Sequence, residues 1–333
     1  MNRAEKRRQR KLTGRTANKG PRKKFGGTQQ ALELAIQHYT AGDLPEAEDV
    51  CRDILQTDPN QPVALQMLGV IALQSGKNDI AAKYIQKAIE TNPGDADGHS
   101  NLGLALQNLG RLEESAASYR KAIDIRPGFA EAHNNLGNTL TQLGRLEEAV
   151  IHFQKAIQIN PNNANEHNNL GNTLKDLGEF DEALASYRKA IQMRPKFAEA
   201  HSNLGNLSSD LQRLDEAVDH IQKAITLRPD FADAHNNLGV VLQKLGRLEE
   251  SVDSFHKAIA INPDYADAHN NLAGTLKELG RLEDSVDSYH KAIDINPELA
   301  DAHNNLGNVL KDLGQFSKAK AAYDRGFHIN HGG

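Results

Sequence analysis

The chain has 333 residues, 38% of them hydrophobic and 25% charged, which is enough apolar matter for a packed core. No apolar run approaches the ~18 residues of a membrane span, and a single cysteine, Cys51, leaves no internal disulfide and no cysteine zinc site. The net charge of −5 averages two unlike parts: residues 1–27 hold 11 Lys+Arg and one Glu, and the remainder holds 28 basic and 43 acidic residues, so a basic tail precedes an acidic body.

The tail, residues 1–27, contains Gly14, Gly20, Pro21, Gly26 and Gly27 and no apolar core region. It reads as a disordered basic tail rather than a secretory signal peptide. Three roles stand open for it: a solvated segment, a contact to nucleic acid or lipid headgroups, or a fold-back onto the acidic body. Phe25 is its one aromatic, which disfavours sequence-specific RNA binding. The missing export signal and the single thiol give a cytoplasmic location as the expectation.

From residue 28 the sequence is periodic. His99, His133, His167, His201, His235, His269 and His303 stand 34 residues apart. Pro59 through Pro297 keep that period, as do Gly103, Gly137, Gly171, Gly205, Gly239 and Gly307, with Ala273 as the exception. Nine units follow: 28–61, 62–95, 96–129, 130–163, 164–197, 198–231, 232–265, 266–299 and 300–333. Each reads as two helices, so the fold class is all-α. In 130–163, Ala132, Leu136, Leu140 and Leu143 make the stripe of a first helix, which Gly144 ends. Glu147 and Glu148 open the second helix, Ala149, Phe153, Ala156 and Ile157 form its stripe, and Pro161 stops it.

This Leu-Gly, Ala, Phe/Tyr, Ala, Pro pattern resembles the tetratricopeptide repeat (TPR) over about 306 residues. The first unit departs most, with Ala35 where Gly is expected and Cys51 where an aromatic is usual. The resemblance implies an α-solenoid, a right-handed superhelix of antiparallel helix pairs, with the first helix of each pair on the concave face.

That face carries a row of carboxamides: Asn101, Asn135, Asn169, Asn203, Asn237, Asn271 and Asn305, with Asn138, Asn172, Asn206 and Asn308 three residues on. Asparagine is a poor helix former, and its amide both donates and accepts, as a peptide group does. The row is similar to the asparagine ladder in the repeat arm of O-GlcNAc transferases, which implies a grip on extended polypeptide. The alternative is sameness inherited from copied repeats. Asp97, Glu131, Glu199, Asp233, Asp267 and Asp301 lie beside the row, so a neutral or basic segment is the expected ligand rather than an acidic tail.

No cofactor or metal site is expected. Histidines a whole repeat apart cannot converge on one ion, so packing is their expected role. Cys51 falls on an apolar stripe and reads as a structural thiol. Asp95-Ala-Asp97-Gly98 matches only a fragment of a calcium loop. There is no phosphate loop and no nucleophile motif, and the repeats leave no room for a catalytic domain. At the far end the ninth unit is only partly polar (Lys318, Lys320, Asp324, Arg325), so a homodimer mate, another partner or a covalent downstream domain is expected to cover it. The function expected is a non-catalytic scaffold that binds polypeptide in its groove. The alternative is the substrate-recruiting arm of an O-GlcNAc-transferase-like transferase whose catalytic domain is outside this chain.

Overall fold

The computed structural model describes residues 27–331. The expectations for the basic tail, including its contact to nucleic acid, concern residues 1–27 and so lie, but for Gly27, outside the described residues. Among the described residues there are eighteen α-helices and no strand, and no described helix is long and apolar enough to cross a membrane.

The helices form pairs, and every pair falls inside one of the expected 34-residue units. In chain order they are α1 (Thr28–Ala41) with α2 (Leu44–Thr57), α3 (Pro62–Gln74) with α4 (Asn78–Thr91), and α5 (Ala96–Asn108) with α6 (Leu112–Ile125). Then come α7 (Ala130–Gln142) with α8 (Leu146–Ile159), α9 (Ala164–Asp176) with α10 (Phe180–Met193), and α11 (Ala198–Asp210) with α12 (Leu214–Leu227). The last three pairs are α13 (Ala232–Lys244) with α14 (Leu248–Ile261), α15 (Ala266–Glu278) with α16 (Leu282–Ile295), and α17 (Ala300–Asp312) with α18 (Phe316–His331).

The turn inside each pair needs a left-handed residue. Gly144 supplies it at φ 72° after α7, and in the 198–231 unit Gln212 takes φ 59° in the same place, at a strain a glycine would avoid. The second helix then starts with a local ion pair: Arg145 to Glu148, Arg247 to Glu250 and Arg281 to Asp284 close at 2.6–2.8 Å.

Within a pair, a small residue on the first helix meets an aromatic ring on the second. A Cβ on Gly137 would lie 2.8 Å from the Phe153 ring, so the glycine is what lets α7 and α8 approach. Phe153, Tyr187, Phe255 and Tyr289 are buried to within 2% of complete by this contact. Burial of such a ring is worth ~3–5 kcal/mol against truncation to Ala. In the first pair Ala35 and Cys51 replace glycine and ring, and the Cys51 thiol reaches the Met67 sulfur at 3.4 Å.

The pairs gather into two compact units, which divide between Pro127 and Gly128. The first holds α1–α6 and the second α7–α18. In the second unit the first helices of successive pairs also touch one another, α7 with α9, α9 with α11, and so on to α17. That contact lines up their asparagines.

Candidate functional site

The second unit brings Asn135, Asn169, Asn203, Asn237, Asn271 and Asn305 onto successive first helices, each half-buried. Asn101 has the same half-burial on α5 of the first unit. The amides are engaged between repeats. Asn169 Nδ2 donates to Asn134 Oδ1 at 3.4 Å and Asn138 Oδ1 at 3.2 Å. Asn203 Nδ2 donates to Asn168 Oδ1 at 3.0 Å and Asn172 Oδ1 at 3.1 Å. Asn271 Nδ2 donates to Asn236 Oδ1 at 3.1 Å; the second acceptor is missing there because Val240 stands where Asn138 and Asn172 stand. Asn135 Oδ1 takes a bond from Asn134 at 3.3 Å.

The outer amides are fixed too. Tyr187 Oη donates to Asn172 Oδ1 at 2.8 Å, and Tyr323 Oη donates to the exposed Asn308 at 2.9 Å. Asn206, Asn237 and Asn305 make no amide-to-amide link among the described residues. The expectation that each ladder amide offers both a donor and an acceptor is therefore corrected at Asn169 and Asn203, whose NH2 groups each make two bonds; Asn271 makes one and keeps an N–H. These bonds serve the neighbouring repeat, and the Oδ1 atoms of all three accept from no described group. At Asn169 and Asn203 the amide atom left over is the carbonyl oxygen, whereas at Asn135 the oxygen is the engaged atom.

Two of the six neighbouring acids are neutralised. Arg126 holds Asp97 and Arg228 holds Glu199, each at 2.6 Å, and the Arg228 guanidinium also lies 3.5 Å above the Phe231 ring. These arginines sit 29 residues beyond their acids. At the same spacing from Glu131, Asp233, Asp267 and Asp301 stand Asn160, Asn262, Asn296 and Asn330. Burial and the neighbouring Asp233 push the Tyr265 hydroxyl up. Glu131, Asp267 and Asp301 are exposed and in no ion pair among the described residues. Asp95, taken in sequence as part of a calcium-loop fragment, caps α5 by accepting from the Gly98 amide at 3.0 Å.

The histidines do more than pack. The Nε2 atoms of His99, His201, His235, His269 and His303 each contact the carbonyl oxygen of the proline six residues earlier, at 3.0–3.3 Å. This pins the first helix to the loop before it. Burial pushes His167, His201 and His269 below the usual imidazole range, which favours the neutral ring.

Three features escaped sequence reasoning. The first is a pair of histidine couples: His133 Nδ1 to His152 Nδ1 at 3.0 Å, and His201 Nδ1 to His220 Nδ1 at 3.1 Å. The ring centroids of the second couple are 5.4 Å apart, so the two nitrogens meet head-on, a geometry in which one ring donates and the other accepts. The signal was present as His152 and His220 where other units carry Ser118, Ser186, Ser254 and Ser288. The second is Glu166, buried at 2% exposure where other units place Ala132, Ala200, Ala234, Ala268 and Ala302. Asn163 donates to its Oε1 at 3.0 Å, and its Oε2 has no partner. The third is the apolar first-helix face of the first unit, described below. Cys51 is buried, and burial pushes its thiol up to about 11, which suits a structural role.

Comparisons with known proteins fit this geometry. Sequence profiles described as TPR repeat match residues 137–178, 171–208, 209–246 and 274–314. Profiles described as tetratricopeptide repeat match 67–129, 232–265, 118–151, 255–287, 300–330 and 29–53. No curated protein matches the chain. Among solved structures, the APC/C hetero-tetramer Cut9-Hcn1 aligns over 86% of this chain with a TM-score of 0.63 at 17% identity. The chain spans 57% of that protein's length, and the likeness is one of fold. YrrB, described as a TPR protein with an unusual peptide-binding site, aligns over 56% of this chain and 97% of its own at 30% identity and a TM-score of 0.46. The protein MamA aligns over 48% of this chain and 94% of its own at 24% identity and a TM-score of 0.45. Helix pairs on a 34-residue period, the glycine-to-ring contact inside them and profile matches along the length agree: the chain belongs to the tetratricopeptide repeat family.

Proposed function

We propose that this TPR protein is a non-catalytic scaffold, and that the first-helix face of its second unit holds an extended segment of another protein by the segment's main chain. The observation that carries the reading is the direction of the amide bonds. Because the NH2 groups of Asn169 and Asn203, and one N–H of Asn271, are tied to the preceding repeat, the oxygens of these three are left for a guest. A guest strand's N–H groups complement these oxygens whatever its side chains. The unpaired Glu131, Asp267 and Asp301 favour neutral or basic guests.

Each guest hydrogen bond contributes ~0.5–1.5 kcal/mol net, so affinity comes from the row and not from one residue. The test uses peptides selected on the full chain from a displayed 12-residue library. Asn203→Ala alone should weaken binding less than about 10-fold. Asn169, Asn203, Asn237 and Asn271 changed together to Ala should remove ~2–6 kcal/mol, about 30-fold or more. A fourfold variant that keeps its helicity and binds as well as the parent refutes the reading. The second reading, a recruiting arm joined to a glycosyltransferase domain, rests on the similarity of the Asn row to that of O-GlcNAc transferases. It uses the same face and differs only in what the arm is joined to.

A further inference from the structure

The 34-residue register shows that, Asn101 apart, the amide face is not continued in the first unit. Where the second unit has Asn138, Asn172 and Asn206, the first has Ile36, Val70 and Leu104. Ile36, Val63 and Leu104 are 44%, 44% and 37% exposed. On this face lies a cavity of about 280 Å³. Tyr39, Val63, Met67 and Val70 make its apolar wall, and Gln66 and Asp95 its polar part. The wall is held in place: the Tyr39 hydroxyl accepts from Gln74 Nε2 at 2.8 Å, and the Met67 sulfur rests on Cys51. Gln66 Oε1 is buried against Gly98 and accepts from no described group.

Resting on the peptide-binding reading above, we infer that this cavity is a side-chain pocket that takes one large apolar residue, Leu, Met or Phe, flanked by Lys or Arg in the guest segment. The volume lies at the small end of ligand sites and suits one side chain. The flanking charge follows from complementarity: residues 28–127 carry 14 acids against 8 bases, and Asp95 sits in the pocket lining.

The test again selects 12-residue peptides on the full chain, then measures synthetic copies by calorimetry. The enriched peptides should share a large apolar residue next to Lys or Arg. Replacing that residue by Ala in the peptide should weaken binding about 10- to 100-fold, the value of burying one such side chain. This comparison leaves the protein unaltered, so folding cannot confound it. The protein-side variant is V63N/V70N, which installs the residues that the 164–197 unit carries in register, Asn165 and Asn172. It should bind the parent peptide and its Ala copy equally. Enrichment without an apolar preference, no enrichment, or an undiminished preference in V63N/V70N each overturns the inference. The fourfold Asn→Ala variant separates the two claims. If it binds as the parent does while the Ala copy of the peptide still loses affinity, the amide row falls and the pocket stands; if it weakens while the Ala copy loses nothing, the reverse holds.

Discussion

Glu166 offers a sharp test of the packing, because its counterparts in the other pairs of the second unit are all alanine. The perturbation is Glu166→Gln, which keeps the shape and the acceptor for Asn163 but removes the ionisation. One carboxylate oxygen of Glu166 is buried without a partner; the variant's amide N–H at that place is unpartnered too, so what differs is the buried charge, at ~1–3 kcal/mol. Its place in the first turn of α9 returns ~0.3–1 kcal/mol through the helix dipole. The net penalty in the parent is therefore ~1–2 kcal/mol at neutral pH. Burial pushes the carboxyl above the usual carboxylate range, against the smaller opposing effect of the Asn163 hydrogen bond. The sign follows from linkage. Below the unfolded carboxyl value both states are protonated and no penalty exists; as pH rises through the raised folded value the parent loses stability and the variant does not. Thermal and urea unfolding from pH 4 to pH 8 should show Glu166→Gln more stable by ~1–2 kcal/mol at pH 8, roughly 2–8 °C for a unit of this size. The difference should vanish near pH 4. A variant no more stable at pH 8, or one whose advantage is the same at both ends, refutes the reasoning.

The His201–His220 couple should act in the opposite direction. Burial depresses both rings, so stability falls as pH drops below about 6.5, where the unfolded chain takes up protons first; His220→Ser, the residue of four other units, should flatten that dependence in urea midpoints between pH 7.5 and 5. Asn203→Ala loses two amide bonds and gains helix propensity, for a net cost of ~0.5–2 kcal/mol, whereas Asn237→Ala, with no amide link to lose, should be neutral or stabilising. Equal melting shifts in the two variants would contradict the assigned network.

The period of Pro, Gly and His was enough to place all nine helix pairs, because each of those residues has a local task that repeats with the chain. The direction of the amide row was not legible. That Asn203 donates to Asn168 and Asn172 depends on the approach of α11 to α9, which no single repeat encodes. The pairing of Asp97 with Arg126 and Glu199 with Arg228 was present in sequence as a spacing of 29, but its meaning needs the loop that folds the end of one helix over the start of its partner. The histidine couples were hidden for the same reason, since His133 and His152 lie on different helices. The division between Pro127 and Gly128 left no mark at all: the repeat period runs through it unbroken.

The most direct measurement is a crystal structure of the full chain with a selected peptide bound. The account predicts an extended guest whose main-chain nitrogens lie about 3 Å from Oδ1 of Asn169, Asn203 and Asn271, with the inter-repeat amide bonds intact. A guest seated on the second helices, or one that touches this row only through its side chains, would contradict it.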